Sequence, residues 1–430
     1  MKMITYNTKN FRQIEYLKFL PEETRKEIEI VSRVLPFKTN NYVTDYLIDW
    51  ENYANDPVFI LNFPNRGMLR ENDYQKVKWA WENNVRGTEF QNIVNKVRLS
   101  LNPHPANQQS NVPKLNGQPL KGMQHKYRDI VLFFPSQGQT CHAHCTFCFR
   151  WPQFVKDLDL QFEMREIDQV TEYIRQNEHV HEILFTGGDP MIMSPATIKK
   201  YIDKIFEAKL DNLDTIRFGT KSLTYWPFAF IPDFSEEAED MLNLFRQIVD
   251  GGKHLSFMAH FNHPQEMDNA AVQEAIYNIR QTGAEIRTQA PLLRNINNDS
   301  KVWRDMWTKQ VHLGMIPYYM FIERETGPYY YFSVPLAEIY EIYQKAIRYS
   351  GSLGKTVTAP VMSASQGKVQ ILAVVDNPAD GKKYFMMQYV RNRNVEDTYK
   401  PFFMEYDEKA TWFDQLKKVE MNPVMANMTG

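Results

Sequence analysis

Three cysteines, Cys141, Cys145 and Cys148, are the only cysteines in this chain of 430 residues. They form the pattern C-x3-C-x2-C within GQTCHAHCTFCFRW. A disulfide framework is disfavoured because a third cysteine has no partner and the closed loops would be too short to stabilise much. Thiolates at this spacing can instead bind one iron-sulfur cluster, and a [4Fe-4S] cluster normally takes four protein ligands. The triplet therefore predicts a metal site with one iron left open for another ligand.

A structural zinc site is the alternative that these residues leave open. A distant histidine would supply its fourth ligand, and the chain offers His142, His144, His260 and His263. Structural zinc sites usually combine a C-x2-C pair with a second, distant pair, which is not the pattern here. The spacing resembles that of the radical S-adenosylmethionine (SAM) superfamily, in which the amine and carboxylate of SAM chelate the open iron.

Composition and charge narrow the class of protein. The formal net charge is −2, so nothing global favours a nucleic-acid partner. The N-terminus, MKMITYNTKNFRQIEYLKF, lacks the apolar core of a signal peptide, and no run approaches the roughly 18 apolar residues of a membrane span. We therefore expect no membrane association and a cytoplasmic location, where a reducing environment suits free thiols that hold an oxygen-sensitive cluster.

Strand-like and helix-like segments alternate between residues 121 and 350. Six apolar runs read as strands, and each is followed by a stretch with apolar residues at helical spacing. The runs begin near residues 130, 182, 215, 255, 285 and 315. Alternation of this kind predicts an α/β fold with a parallel sheet and right-handed crossovers. Six units are too few for the usual closed eight-unit barrel, so we expect a partial (β/α)6 TIM-like barrel.

Two further segments flank these units. Residues 1–120 read as an N-terminal helical segment, since PEETRKEIEIVSRVL has a proline and acidic first turn followed by apolar residues at helical spacing. The stretch from about 101 to 128 is rich in Asn, Pro, Gln and Gly and reads as a linker. Residues 351–430 read as a C-terminal extension that contains the strand-like run VQILAVVD.

Parallel barrels carry their chemistry on the loops at the carboxyl ends of the strands. The cysteine loop follows the first predicted strand, TGGDP the second, GTKS the third, HFNHP the fourth and QAPLLRN the fifth. We therefore expect these motifs to meet at one end of the sheet.

With these motifs the chain resembles the lysine 2,3-aminomutase family of radical SAM enzymes, over roughly residues 121–370 and more loosely over the N-terminal part. In that family the cluster reduces SAM, a deoxyadenosyl radical abstracts a substrate hydrogen, and an amino group bound to pyridoxal phosphate (PLP) moves between neighbouring carbons. The resemblance implies a [4Fe-4S] cluster, SAM and PLP as cofactors. It also implies a small amino-acid substrate and an electron donor such as flavodoxin or ferredoxin.

The resemblance assigns roles to residues around SAM. The three cysteines correspond to the cluster ligands, and Gly187, Gly188 and Asp189 of TGGDP to the motif that holds the methionine amine. His260 in HFNHP and Gln289 in QAPLLRN match positions near the cofactor. Each of these residues also has a structural interpretation, GGDP as a strand-end turn and His260 as a histidine satisfied by protein groups.

A lysine that carries PLP usually has a pKa lowered by its surroundings. Lys368, preceded by a glycine, aligns best with the family's lysine, which also makes it the predicted catalytic residue, and Lys355 is the second candidate. The family's glycine-rich loop before that lysine is reduced here to one glycine, and an arginine that helps to hold the phosphate is replaced by Ile130. Lys126 and Tyr127 are then the candidates for the phosphate.

The substrate pocket differs from that of lysine enzymes. Arg150, two residues after the last cysteine, matches the family's arginine for the substrate carboxylate, a group that a guanidinium binds well. Arg324 and Val361 stand at the places of two aspartates that hold the lysine ammonium. Because a cation there repels a lysine side chain, we expect an acidic or otherwise anionic amino acid paired with Arg324, with Glu323 and Glu325 as modifiers.

Taken together, the residues predict a radical SAM enzyme, a PLP-dependent aminomutase (an isomerase) for an amino acid other than lysine. A radical SAM enzyme that has lost PLP and a zinc-stabilised binding protein are the alternatives. No cysteine follows Cys148, so the family's C-terminal zinc ligands are absent, and a homo-oligomer would be held by other contacts.

Overall fold

The computed structural model describes residues 1–102, 108–155, 162–377 and 380–419. Parts of the predicted linker and of the C-terminal extension therefore lie outside the described residues. A mixed sheet of twelve strands dominates the described part, with helices packed against it, which confirms the predicted α/β class. None of the helices in these ranges combines the length and the apolar character needed to cross a membrane.

The strands are β1 (Thr5–Asn7), β2 (Lys38–Asn40), β3 (Lys114–Leu115), β4 (Gln118–Pro119), β5 (Met123–Tyr127), β6 (Ile130–Phe133), β7 (Glu182–Phe185), β8 (Thr215–Thr220), β9 (His254–His260), β10 (Glu285–Leu292), β11 (Ile316–Ile322), β12 (Pro360–Ser363), β13 (Gly367–Asn377), β14 (Lys382–Asn392), β15 (Pro401–Glu405) and β16 (Lys418–Val419). The helices are α1 (Glu22–Val31), α2 (Pro57–Asn62), α3 (Glu71–Glu82), α4 (Gly87–Ser100), α5 (Trp151–Phe154), α6 (Ile167–Arg175), α7 (Pro195–Glu207), α8 (Ser222–Tyr225), α9 (Ala238–Asp250), α10 (Ala270–Arg280), α11 (Ser300–His312), α12 (Tyr329–Phe332) and α13 (Leu336–Tyr349).

Strands β6 to β11 are parallel neighbours and stand in the sheet in chain order. At least one helix separates each consecutive pair, as the sequence pattern predicts. Helix α7 illustrates the local causes. The Ser194 side chain accepts a hydrogen bond from the backbone of Thr197, and Pro195 occupies the first turn, so both residues favour a helix start there. Ile198 and Ile202 recur on one face and are buried in the core of the sheet layer.

The sheet extends beyond these six strands on both sides. Strand β12 pairs parallel with β11, and β13 to β16 continue the sheet as antiparallel strands. At the other edge β5 pairs antiparallel with β6. The sheet thus runs across residue 350, and the predicted division of the chain at residues 120 and 350 stays a prediction.

The first hundred residues contain helices α1 to α4, but also the short antiparallel pair β1 and β2. Some of their apolar side chains form a cluster of their own, in which the rings of Phe59 and Phe63 stack with centroids 4.8 Å apart. A second cluster joins the segment to Trp151 and Phe332. Other apolar residues of the segment, Tyr42, Val43, Leu47 and Val58, belong to the core of the central sheet.

Candidate active site

A cavity of about 360 Å³ lies at the carboxyl ends of the central strands. Thirteen of the residues that the sequence predicts for the site line it: Lys126, Tyr127, Cys141, Cys145, Cys148, Arg150, Gly187, Gly188, Asp189, His260, Gln289, Arg324 and Lys368. Glu325, predicted as a modifier of the substrate pocket, is not part of this lining. Lys355, the second candidate for the PLP lysine, is exposed and is not part of this lining. Predicted residues up to 242 positions apart in the sequence, Lys126 and Lys368, thus line one cavity, and most of them lie at the strand ends, as expected for a parallel sheet.

The cysteine loop follows β6, and its three side chains are free thiols on the cavity wall. Burial raises the pKa of Cys148 to about 12, so its thiolate needs a neighbouring cation, which cluster iron would supply. Among the described residues, no three His, Cys, Asp or Glu side chains lie close enough together to bind a single metal ion. Three thiols on one cavity wall fit a cluster with an open iron.

Backbone hydrogen bonds from the N-terminal segment hold this loop in place. The amide of His144 donates to the Lys38 carbonyl at 2.8 Å, and the amide of Thr146 donates to the Leu61 carbonyl at 2.8 Å. The Thr146 hydroxyl donates to the Ile60 carbonyl at 2.7 Å. The loop has little regular structure of its own, so the segment that precedes the sheet determines its shape.

Gly187 and Gly188 let the chain before Cys141 pack against the end of β7. Gly187 has a φ of 132°, a conformation that side chains rarely allow, and a Cβ there would overlap the side chain of Gln139. A Cβ at Gly188 would overlap the backbone of Thr140. The two glycines are therefore required by the approach of the protein's own cysteine loop.

Gly188→Ala is expected to displace this loop, because the Thr140 backbone cannot rotate away from the added methyl group. We expect the variant to retain only a small fraction of the iron and sulfide that the unmodified protein binds on anaerobic reconstitution. Gly351→Ala is the matched control, since its new Cβ meets nothing within 4 Å. A fully loaded Gly188→Ala protein would show that the loop tolerates displacement.

Asp189 joins the TGGDP loop to the end of β8. Its carboxylate accepts hydrogen bonds from the Thr220 hydroxyl at 2.7 Å, the Lys221 amide at 2.9 Å and the Met191 amide at 3.0 Å. Protein donors thus use this carboxylate, and the direct part in cofactor binding assigned to Asp189 stays a prediction.

His260 and Gln289 are neighbours across the parallel strands β9 and β10. The Gln289 side-chain amide lies 2.8 Å from Nε2 of His260. Burial and the nearby charge of Lys221 lower the pKa of His260 to about 3, so the imidazole is neutral at physiological pH. A neutral imidazole paired with an amide is a polar but uncharged surface for a cofactor.

Lys368 lies on β13 directly opposite Arg391 of β14. Its ammonium nitrogen lies 3.9 Å from the ring centroid of Tyr319 and 4.9 Å from that of Phe321. Burial, together with the positive charges of Arg391 and Arg217, lowers the pKa of Lys368 well below its ordinary value. The lowered pKa favours the neutral amine, which is the form that reacts with a carbonyl group.

Lys126 and Tyr127 lie beside this lysine, on β5. The Lys126 ammonium donates to the Ala364 carbonyl, and burial with the charge of Arg324 lowers its pKa to about 7. The guanidinium of Arg391 lies 5.6 Å from the centroid of the Tyr127 ring. These cations and a phenol form one wall of the cavity, which suits a bound anion such as a phosphate.

Arg150 and Arg324 both lie against the ring of Phe149, with guanidinium carbons 5.0 and 4.4 Å from its centroid. Burial and the charge of Arg324 lower the pKa of Arg150 to about 10. One terminal nitrogen of Arg150 is buried without a hydrogen-bond partner among the described residues. A buried donor without a partner is costly, so this corner of the cavity suits an anionic ligand group.

Glu323, the neighbour of Arg324, is only 8% exposed and also lines the cavity. Neither carboxyl oxygen has a hydrogen-bond partner among the described residues. Burial raises the pKa of Glu323 well above its ordinary value, which favours the protonated acid. The sequence predicts Glu323 only as a modifier of the substrate pocket, whereas in the structure its side chain lines the cavity. Val361 is buried but does not line the cavity.

Three cationic residues that were not predicted as site residues also line the cavity: Arg217, Lys221 and Arg391. Each has an anionic partner: Glu182 for Arg217, Glu266 for Lys221 and Asp129 for Arg391. A signal existed for Arg217, because a charge interrupts the otherwise apolar run TIRFG. Arg391 lies in a C-terminal strand without any motif, so only the fold brings it to the site.

Several known proteins are similar to this chain in sequence. Residues 128–272 match a family described as a 4Fe-4S single cluster domain. The chain is 28% identical over 402 residues, 93% of either chain, to a protein of Aquifex aeolicus that is named provisionally as an L-lysine 2,3-aminomutase. The chain thus has relatives named lysine 2,3-aminomutase, one of them along nearly its whole length. This confirms the predicted resemblance and indicates an enzyme, an isomerase.

Two further relatives of this chain show that the similarity is not confined to enzymes named for lysine. The L-lysine 2,3-aminomutase of Clostridium subterminale is 26% identical over 52% of this chain and 50% of its own length. The glutamate 2,3-aminomutase of Clostridioides difficile is 23% identical over 66% of this chain and 58% of its own length. The homology and the cluster domain support a [4Fe-4S] cluster and SAM as cofactors.

Proposed function

We propose that the chain is a PLP-dependent radical SAM aminomutase that moves an amino group between neighbouring carbons of an amino acid other than lysine. The observation that supports this most is the convergence of the three cysteines, Lys368 and two arginines on one cavity. One substrate must be held by PLP and lose a hydrogen to the radical made at the cluster. The cluster ligands, the PLP lysine and the groups that bind the substrate carboxylate must therefore line the same cavity.

At one end of the cavity, the cysteines would hold the cluster, with SAM between the TGGDP loop and the pair His260 and Gln289. The cluster would supply one electron for the cleavage of SAM. The chain's own residues would position SAM there, because the glycines bring the TGGDP loop close to the cysteine loop and the imidazole stays neutral.

At the other end, Lys368 would hold PLP, whose aldehyde carbon would carry the amino group while it moves between the substrate carbons. Lys126, Tyr127 and Arg391 would bind its phosphate. The crowding of cations around Lys368 serves both purposes, because it favours a neutral amine and attracts a dianion. Phe321 and Tyr319 flank the ammonium and would limit the access of water.

Between the two ends, Arg150 would bind the α-carboxylate of the substrate and Arg324 its side chain. Arg324 is half-buried and lines the cavity, so a lysine ammonium placed beside it would be repelled. An acidic side chain would be attracted instead. The homologue named for glutamate supports a substrate of this class.

Glu323 favours a second candidate substrate class. Its buried carboxyl group has no hydrogen-bond partner among the described residues. A side-chain carboxamide could donate to Glu323 through its NH₂ group and accept from Arg324 through its carbonyl oxygen. Anaerobic turnover with aspartate, glutamate, asparagine, glutamine, lysine and arginine separates these classes. We expect turnover of an acidic amino acid or its amide, and preferred turnover of lysine would contradict the proposal.

Arg324→Asp is expected to shift substrate preference toward cationic amino acids by roughly tenfold, because reversing a half-buried charge changes its interaction with a charged side chain by about 1.4 kcal/mol. The measurement is the ratio of kcat/KM for an acidic and a basic amino acid. Arg324→Gln is the matched control and should lose preference for the acid without gaining any for the base. An unchanged ratio in Arg324→Asp would place Arg324 outside the substrate contact.

The finer architecture belongs to the same proposal. Strands β6 to β11 with their helices would form the partial (β/α)6 barrel, flanked by residues 1–120 and by residues 351–430 with the PLP lysine. We further propose a cytoplasmic enzyme, reduced by a flavodoxin or ferredoxin, with any homo-oligomer held without zinc. Borohydride reduction followed by peptide mapping tests the PLP part, and failure to trap Lys368 would favour the radical SAM enzyme without PLP.

A further inference from the structure

A tyrosine outside all the predicted motif positions touches one of the cluster cysteines. The hydroxyl oxygen of Tyr225, at the end of α8, lies 3.3 Å from Sγ of Cys145. Tyr225 is only 1% exposed. A cysteine that binds iron is a thiolate without a proton, so in the loaded protein the phenol must be the donor of this hydrogen bond.

Asn62 fixes the direction of that donor. Its side-chain amide donates to the Tyr225 hydroxyl oxygen at 3.4 Å and to the Val58 carbonyl at 3.0 Å. The amide of Asn40 holds the backbone of Tyr225 through its carbonyl at 3.0 Å. Because Asn62 occupies a lone pair of the phenol oxygen, the hydroxyl hydrogen is left free to point at the sulfur.

A hydrogen bond to a cluster thiolate is stronger when the cluster carries one more electron. It therefore stabilises the reduced cluster relative to the oxidised one and raises the reduction potential. This effect acts on electron transfer into the cluster and not on the binding of substrate.

We propose that Tyr225, oriented by Asn62, is a positioning residue that sets the reduction potential of the cluster bound at Cys145. The inference rests only on the cluster part of the proposed function and is independent of PLP and of the substrate. Because Asn62 lies at the end of α2, the N-terminal segment would both hold the cysteine loop and orient Tyr225.

The test is a redox titration of the reconstituted full-length protein, followed by the electron paramagnetic resonance signal of the reduced cluster. Iron and sulfide content is measured first, so that absence of a cluster, which would defeat the proposed function, is distinguished from an unaltered potential. In Tyr225→Phe we expect the equilibrium constant for reduction to fall about tenfold, a shift of about 59 mV to more negative potential for one electron.

Tyr343→Phe is the matched control. It removes a buried hydroxyl that donates to the Thr358 carbonyl at 2.6 Å, in a part of the chain without contact to the cysteines, and should leave the potential unchanged. Asn62→Leu should shift the potential in the same direction as Tyr225→Phe, by a smaller amount. It also serves as the decisive variant if Tyr225→Phe does not retain four irons. Loaded variants with the potential of the unmodified protein would overturn the proposal.

Discussion

Lys368→Ala is expected to abolish amino-group migration while leaving the cluster in place. The variant should lose the covalently trapped pyridoxyl group and all detectable product, because no other lysine of the cavity combines a neutral amine with a position opposite Arg391. It should still bind iron and sulfide in full and still cleave SAM when reduced. The measurements are peptide mapping after borohydride reduction, product analysis and iron content.

Lys355→Ala is the matched control for this result. Lys355 follows a glycine, as Lys368 does, but is exposed and does not line the cavity, so its loss should leave PLP binding and turnover unchanged. A pyridoxyl group found on Lys355, or full trapping in Lys368→Ala, would contradict the assignment.

Cys148→Ala is expected to have the opposite pattern of losses. A cluster with only two remaining thiolates should not assemble stably, so the visible iron-sulfur absorbance and the formation of deoxyadenosine should disappear. PLP trapping at Lys368 should persist, because the lysine lies on β13 and is held by contacts that do not involve the cysteine loop.

A protein that binds zinc after anaerobic reconstitution, without the iron-sulfur absorbance, would overturn the cluster assignment. The three single cysteine variants should behave alike, since all three thiols share one wall of the cavity. Met193→Leu provides a control, because it alters a sulfur-containing side chain of the same core without touching a ligand.

The positions of the motifs on the fold could be predicted from the sequence because strand order and loop position follow a general rule. Apolar runs of the right length predict parallel strands, and parallel strands bring their carboxyl ends to one edge. The meeting of Cys141, Gly188 and His260 at one cavity follows from that rule.

Side-chain direction within a motif could not be predicted in the same way. Glu323 and Arg324 follow β11 in an irregular segment, where neighbouring side chains diverge according to backbone angles that the residue types do not determine. The sequence therefore names Glu323 only as a modifier beside Arg324, and it gives no sign that the Glu323 carboxyl group is buried without a partner.

Contacts between residues that are distant in the sequence could not be predicted either. Lys38 and Leu61 hold the cysteine loop across about a hundred residues, and Arg391 reaches Lys368 only through a hairpin of the C-terminal strands. Tyr225 stands at no motif position, and only its distance to Cys145 gives it a role. Such contacts depend on packing, for which periodicity and spacing give no signal.

The central claim is that a radical generated at the cysteines acts on an amino acid held between Lys368, Arg150 and Arg324. Anaerobic incubation of the loaded enzyme with SAM and a panel of deuterated amino acids tests it most directly, by mass spectrometry of deoxyadenosine and of the product. We expect deuterium transfer and a shifted amino group with an acidic amino acid or its amide. Deuterium transfer from lysine in preference to all others, or from none of the panel, would contradict the account.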